Sequence, residues 1–262
     1  MTKRRNRFDD DYSQQEIDWY GLKDYNKNGV KIVTRNLRGR ADEYFNKRFW
    51  IGEISAPTFY INNCVWMSLT PMEIQSAAIA IERAWGYVGT GGLGMGYFAL
   101  KCAEKDSVSE VKVWEINRNV IDFFNESFKD RKGFEKIKVI EGDVREMKNE
   151  QFSFFYMDIY ASMLGNEVLE DIDNFWKHGN DAGQYHFWGQ EKVLMQGVIS
   201  DMGIHLESDE TEYFTEYIAS YFPKMKGEER LQKSRLYDEM WDKEFVKRVL
   251  CDYLGRMTYD CD

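Results

Sequence analysis

A cluster of glycines is the strongest chemical signal in the sequence. The segment from Gly89 to Gly96 reads GTGGLGMG and contains five glycines among eight residues, between a predicted strand and a predicted helix. Glycine lets a backbone pass close to a ligand, and the amide groups that open the following helix favour an anion. Gly89, Gly91 and Gly94 fit G-x-G-x-x-G, while Gly92, Gly94 and Gly96 fit G-x-G-x-G. A tight turn explains one or two glycines but not five, so the pattern indicates a ligand-binding loop.

Three carboxylates follow at the ends of successive predicted strands. Glu115 ends VKVWE, Asp143 follows KVIEG, and Asp158 follows FFYM. Because the carboxyl ends of parallel strands meet at one edge of a sheet, we expect these groups beside the glycine cluster. One carboxylate can accept both hydroxyls of a ribose, another can accept the N6 amine of adenine, and the remaining charge favours a sulfonium or an amine. A dinucleotide with its pyrophosphate has less use for so much acid, so the pattern favours S-adenosylmethionine over NAD.

Four segments together resemble a known superfamily. In chain order they are VGTGGLGMGYFAL, VKVWEINRNVIDFF, KIKVIEGDVRE and FFYMDIY. The set resembles the class I S-adenosylmethionine (SAM) methyltransferases, and within them the spermidine-synthase-like branch, over about residues 60–200. The resemblance implies that the chain binds SAM, or S-adenosylhomocysteine or methylthioadenosine as its product.

The resemblance also implies a role for each motif. Residues 89–94 line the methionine part of SAM, Glu115 holds the ribose, and Asp143 with Val144 frames the adenine, while Asp158 lies at the reacting end. The implied cofactor-binding residues are Gly89, Thr90, Gly91, Gly92, Gly94, Glu115, Ile116, Asp143, Val144 and Asp158. The implied catalytic residues are Asp158 and Tyr160, of which Tyr160 would shape an acceptor pocket.

Three departures from the pattern of these families leave the reaction open. Thr90 stands where the acid that leads the glycine motif is usual, and Gly94 stands where aminopropyltransferases carry an aspartate. The segment after Asp158 lacks the second acid of the aminopropyltransferases. The leading hypothesis is methyl transfer from SAM to an acceptor that the sequence does not name. The alternatives are aminopropyl transfer to a polyamine, SAM cleavage without an acceptor, and a non-catalytic SAM-binding or partner subunit.

Alternating strand and helix patterns supply the frame for these residues. Such alternation predicts βαβ units, right-handed crossovers and a parallel sheet. The predicted fold class is α/β, a Rossmann-like class I methyltransferase sheet with a small N-terminal β-meander and a helical C-terminal tail. The predicted strands are 84–88, 110–115, 136–140, 152–158 and 184–189, and the predicted helices are 97–104, 119–128, 166–177 and 191–202.

Three units are predicted along the chain. They are an N-terminal arm and small β-meander at 1–69, a SAM-binding domain at 70–205, and a helical extension at 206–262. The arm is polar, with one predicted helical turn before residue 28, and the meander begins at residue 30. Thr70 and Glu73 have the spacing of a capping box at the start of a helix. Trp66, four residues before Thr70, belongs to a segment that could cover the ligand.

Composition excludes several other classes of protein. The chain has 262 residues with 35 basic and 45 acidic side chains, a net charge of −10, which disfavours nucleic acid as a partner. No window approaches the roughly 18 apolar residues of a membrane span, so no membrane partner is expected. Four scattered cysteines favour a cytoplasmic location, and three histidines without ligand spacing predict no metal site. Aromatic-rich helices predicted at 209–222 and 228–256 favour a homodimer formed through this tail or through the meander.

Overall fold

A computed structural model describes residues 10–22, 24–41, 50–161 and 167–190 of the chain. The helices predicted at 191–202, 209–222 and 228–256, and the dimer contact predicted from the tail, lie outside these residues. Among the helices in the described ranges, none is both long and apolar enough to cross a membrane.

The N-terminal part forms an antiparallel sheet of four strands. In chain order and in sheet order these are β1 (Tyr25–Lys27), β2 (Val30–Ala41), β3 (Trp50–Ile61) and β4 (Cys64–Ser68). Asn62 and Asn63 make the turn between β3 and β4 with φ angles of 51° and 65°, a conformation that asparagine tolerates. The predicted β-meander is confirmed, and it begins earlier than expected, at Tyr25.

The central feature of the fold is a parallel sheet of five strands. Its strands are β5 (Gly86–Gly91), β6 (Val108–Glu115), β7 (Ile137–Glu141), β8 (Gln151–Met157) and β9 (Asp181–Phe187). They lie in the order β7-β6-β5-β8-β9, and every neighbouring pair is parallel. The predicted α/β fold class is therefore confirmed. The chain progresses in opposite directions from β5 and from β8, so the crevice at this switch point is where ligands bind in such sheets.

Buried apolar side chains fill both faces of the parallel sheet. Along β8, Phe154 and Tyr156 belong to the cluster on one face, and Phe155 and Met157 belong to the cluster on the other. Within the described ranges, the first face packs against the meander and four helices, and the second packs against one helix. The helices of the first face are α1 (Asp10–Tyr20), α2 (Pro71–Arg83), α3 (Tyr97–Ala103) and α4 (Arg118–Phe128), and that of the second is α5 (Glu167–Lys177).

Helix α1 corrects the prediction of an arm with one helical turn. It spans 11 residues and contacts the glycine segment, where the buried Tyr20 hydroxyl donates to the carbonyl of Met95 at 2.6 Å. Glu16 accepts a hydrogen bond from the Tyr97 hydroxyl at 2.7 Å and pairs with Lys101. The sequence pattern missed this helix because its stability comes from these long-range contacts, and its own residues are mostly polar.

The start of α2 corrects a second prediction, the capping box. Thr70 is the N-cap residue and Pro71 follows it, as expected, but the Thr70 side chain makes no capping hydrogen bond. Its backbone carbonyl accepts from the amide of Ile74 at 3.0 Å, and its own amide donates to the carbonyl of Ser68 at 2.7 Å. The Glu73 side chain, which a capping box would turn back toward Thr70, instead lines a cavity at the switch point.

Candidate active site

Three strand ends are tied together where β5 and β8 meet. The Asp158 amide, one residue after β8, donates to the carbonyl of Gly91 at 2.9 Å. The amide of Gly92 donates to the carbonyl of Trp114 in β6, also at 2.9 Å. These backbone bonds hold the glycine segment between β6 and β8. Beyond these bonds, the segments that follow the strands diverge, and a cavity lies at this edge of the sheet.

The cavity lies between the glycine segment, β4, the start of α2 and the end of β8. Its walls include Trp66 and Met67 from β4, so the segment that was predicted to cover a ligand does line the cavity. Tyr156 and Trp188 add aromatic surface, and the described residues that line the cavity include no lysine, arginine or histidine. The space is therefore apolar and aromatic, with carboxylates as its only formally charged groups.

Close packing explains much of the glycine content. Gly89 and Gly91 lie inside β5, and a Cβ atom there would come within 2.6 Å of the Phe152 ring and 2.8 Å of Val144, respectively. Gly92 has a φ of +87°, and a Cβ atom would lie 2.2 Å from the backbone oxygen of Asp158. The predicted contact of Gly89 with a cofactor thus has a competing explanation in the core. Gly92 and Gly94, by contrast, line the cavity.

Glu115 joins the end of β6 to the glycine segment. Its carboxylate accepts hydrogen bonds from the amides of Leu93 at 3.0 Å and Asn117 at 2.8 Å. The neighbouring Ile116 is 71% exposed, an unusual position for a large apolar side chain. The end of β6 therefore presents a held carboxylate and a free apolar surface next to each other.

Asp143 and Val144 lie at the end of the neighbouring strand, β7. The Asp143 carboxylate caps a short 3-10 helix by accepting from the amide of Arg145 at 2.9 Å, while Val144 is buried against Gly91. The amide of Gly142 donates to the Glu115 carbonyl at 3.0 Å, which places the two strand ends side by side. A Cβ atom at Gly142 would meet no atom within 4 Å, so there is open space at this edge.

Asp158 and Glu73 form the acidic end of the cavity. Asp158 accepts a long hydrogen bond of 3.4 Å from the Tyr156 hydroxyl, and burial raises the pKa of Asp158 to about 7. Burial, and then the charge of Asp158, raises the pKa of Glu73 to about 8. The Glu73 carboxylate forms no hydrogen bond or ion pair with the described residues. Glu73 was missed as a site residue because its spacing from Thr70 suggested a cap, although it lies one helical turn before Ala77, which also lines the cavity.

Two buried hydroxyl groups near the cavity have no hydrogen-bond partner among the described residues. Tyr160 lines the cavity, and burial, followed by the Asp171 carboxylate, raises the pKa of its hydroxyl. Thr90 is 1% exposed and pairs in register with Tyr156, so it lies next to the cavity without lining it. A ligand atom is the natural partner for the Tyr160 hydroxyl, because buried polar atoms are nearly always satisfied.

Comparison with known proteins finds folds of this kind. No protein-family model and no curated protein matches the chain. It is similar to spermidine synthase from Thermotoga maritima at 14% identity, over 63% of this chain and 55% of that chain, with a TM-score of 0.38. It is similar to the 23S rRNA methyltransferase ErmE at 19% identity, over 43% of each chain, with a TM-score of 0.33. It is also similar to Methanocaldococcus jannaschii Trm5 in complex with adenosine at 16% identity, over 61% and 41% of the two chains, with a TM-score of 0.35.

The chain spans about half the length of the solved structures that it matches. At these identities the similarity concerns the fold, and the site must be argued from this chain's own residues. One match acts on ribosomal RNA by its name, so the expectation that nucleic acid is not a partner gains no support.

Proposed function

We propose that this chain is a methyltransferase that uses SAM. The observation that carries the proposal is the grouping of Glu115, Asp143 and Asp158 around the glycine segment, at the switch point of a parallel sheet. Carboxylates at three strand ends match the hydroxyl and amine donors of an adenosine and the positive charge of a sulfonium. Packing contacts explain much of the glycine segment without a bound phosphate. SAM has no phosphate, so it fits this edge better than a dinucleotide does.

The residues at the nucleoside end fit an adenosine in three ways. Each carboxylate oxygen has more than one lone pair, so Glu115 retains acceptor sites for ribose hydroxyls beyond its two amide bonds. The exposed Ile116 offers an apolar surface to a purine ring. Open space at Gly142 leaves room between Glu115 and Asp143 for a ligand. Gly92 and Gly94, which line the cavity, would lie along the methionine part.

The chain's own residues then prepare an acceptor for the electrophilic methyl group that SAM supplies when bound. Asp158 takes the proton of the acceptor's nucleophilic atom, and a pKa of about 7 suits a general base near neutral pH. Tyr156 orients that carboxylate through its hydroxyl. The aromatic walls formed by Trp66 and Trp188 exclude water and hold the acceptor in line, so proximity supplies much of the rate.

Product analysis after incubation with SAM tests this proposal. The purified chain is incubated with SAM and a panel of amines, RNA and proteins, and the nucleoside products are separated. S-adenosylhomocysteine is the expected product. Methylthioadenosine would instead indicate aminopropyl-type transfer or cleavage, and no turnover with any acceptor would indicate a binding subunit. In calorimetry SAM should bind more tightly than NAD, and the reverse order would contradict the proposal.

A matched pair of variants connects the activity to the site. Asp158→Asn should lower turnover at saturating SAM by about 100-fold or more, the range typical of a lost general base. Asp130→Asn makes the same change at an exposed position in the described part of the chain and should leave turnover unchanged. Equal turnover in the two variants would remove Asp158 from the reaction.

A further inference from the structure

The acidic end of the cavity contains two carboxylates that no cation in the described part of the chain neutralises. Glu73 approaches from α2 and Asp158 from the end of β8, and both line the same cavity. Glu73 has no hydrogen bond or ion pair with the described residues, and Asp158 has one long bond from Tyr156. Two anions that share an apolar space lose hydration and repel each other.

No positively charged group among the described residues faces this pair. The titratable groups that surround it are the hydroxyls of Tyr97, Tyr156 and Tyr160, the buried thiol of Cys102, and His186 behind the Tyr156 ring. Nearby cations have other partners: Lys101 pairs with Glu16, and Arg145 pairs with Asp171 at 2.8 Å. Among the described residues, only the hydrogen bond from Tyr156 to Asp158 opposes the effect of burial, and burial raises the pKa of Glu73 to about 8.

The walls of the cavity point independently to a ligand. The buried hydroxyl of Tyr160, which lines the cavity, has no hydrogen-bond partner among the described residues. Trp66, Tyr156 and Trp188 supply aromatic surface around the carboxylates. Aromatic rings attract organic cations through their negative faces, particularly where water is excluded.

We propose that Glu73 is a specificity-determining residue of this cavity: with Asp158, it selects a ligand that brings one positive charge, and a proton leaves the pair for solvent when that charge arrives. This inference rests on the proposed function and extends it to a residue outside the implied SAM motifs. The charge is an organic onium group, either the sulfonium of SAM or the ammonium of an amine acceptor. A neutral ligand of the same shape gains nothing from the pair.

Calorimetry in two buffers measures the proton directly. SAM is titrated into the full chain at about pH 7.5 in phosphate and in Tris, whose ionisation enthalpies differ. The difference in binding enthalpy between the buffers gives the number of protons released. We expect about half a proton to one proton for SAM. S-adenosylhomocysteine, which lacks the sulfonium charge, should release close to none.

Substitutions on one helix separate selectivity from folding. Glu73→Gln should reduce the proton release and lower the preference for SAM over S-adenosylhomocysteine by about tenfold, the effect of losing one bond to a charged group. Glu73→Asp keeps the carboxyl group and should restore the release. Glu82→Gln, at an exposed position of the same α2 helix, should behave as the unsubstituted chain does. Thermal unfolding without ligand shows whether each variant is folded.

A second titration identifies the source of the charge. 1,4-diaminobutane is added to the complex of the chain with S-adenosylhomocysteine. If protons are released when the diamine binds, and not when SAM binds, then Glu73 and Asp158 bind the ammonium group of an amine acceptor. The inference is overturned if neither ligand releases a proton, or if Glu73→Gln weakens SAM and S-adenosylhomocysteine equally. A chain that binds neither nucleoside overturns the proposed function as well, which distinguishes the two failures.

Discussion

The two ends of the crevice use the same residue type in opposite ways. At the nucleoside end, Glu115 accepts two backbone amides and Asp143 accepts one. At the acidic end, Asp158 has a single long bond from a tyrosine, and Glu73 has no hydrogen bond with the described residues. Glu115 and Asp143 lie at the ends of β6 and β7. Glu73 lies on helix α2, and Asp158 follows β8.

This difference separates carboxylates that hold the backbone from carboxylates that respond to a ligand. Backbone amides donate to the carboxylates of Glu115 and Asp143, so these two groups give the loops around them a defined shape. Burial without donors destabilises the charged form, so Glu73 and Asp158 gain from a proton or a cation. At the proposed nucleoside end the carboxylates are thus already held by backbone amides, whereas at the acidic end a bound cation would stabilise them.

Gly92 joins the two ends, and its replacement should have the largest effect. Gly92→Ala puts a side chain at a φ of +87° and 2.2 Å from the Asp158 backbone, so we expect a loss of roughly 3–5 kcal/mol in unfolding free energy and no SAM binding. Urea unfolding and calorimetry measure both. Gly142→Ala is the matched control: with no atom within 4 Å it should fold normally, yet reduce affinity by filling the nucleoside end. Normal binding by Gly92→Ala would show that the two ends are independent.

The pH dependence of stability should distinguish the two ends next. The pKa values of Glu73 and Asp158 are raised to about 8 and about 7, so the folded state binds more protons than the unfolded state between about pH 5 and pH 8. In the absence of ligand the unfolding free energy should therefore fall as pH rises through this interval, by roughly 6 kcal/mol at the full shifts and by less to the extent that solvent screens the two carboxyl groups. Glu73→Gln should reduce the slope, and Glu82→Gln should retain it. An unfolding free energy that rises with pH over this interval would contradict the proposed difference between the two ends of the crevice.

Removal of the Glu115 carboxylate tests the nucleoside end. Glu115→Ala leaves the amides of Leu93 and Asn117 without their acceptor and should cost about 2 kcal/mol of stability. Glu115→Gln keeps one acceptor oxygen and should lose less. Urea unfolding measures the loss in each variant. Equal losses in the two variants would show that the Glu115 carboxylate does not anchor these amides.

The smallest effect is expected where α1 supports the glycine segment. Tyr20→Phe removes the hydroxyl that donates to the Met95 carbonyl at 2.6 Å, and should cost about 1 kcal/mol of stability. Tyr25→Phe removes an exposed hydroxyl bonded to Glu126 and should cost less. SAM affinity should change with Tyr20→Phe only, since Met95 lies in the cavity wall. Equal effects in both variants would show that α1 does not support the site.

Much of the frame could be predicted from local pattern. Strand ends at Glu115 and near Asp143 and Asp158 follow from runs of β-branched and aromatic residues, because period and turn residues are local properties. Strand β5 extends further than predicted, to Gly91, since two of the glycines serve packing inside the strand. Helix α1 was not predicted at its full length because most of its residues are polar. Contacts with residues distant in the sequence, such as Arg131 and Met95, stabilise it.

The α/β class, the glycine segment and the three carboxylates at strand ends could all be predicted from local pattern, because alternation of elements and strand direction decide which ends meet. Folding of the chain brings Glu73 to the same cavity as Asp158, which lies 85 positions later in the sequence. The sequence pattern at the start of a helix is the same whether its glutamate caps the backbone or faces a cavity. The choice depends on what packs beside it, and burial without a partner is a property of the folded chain alone.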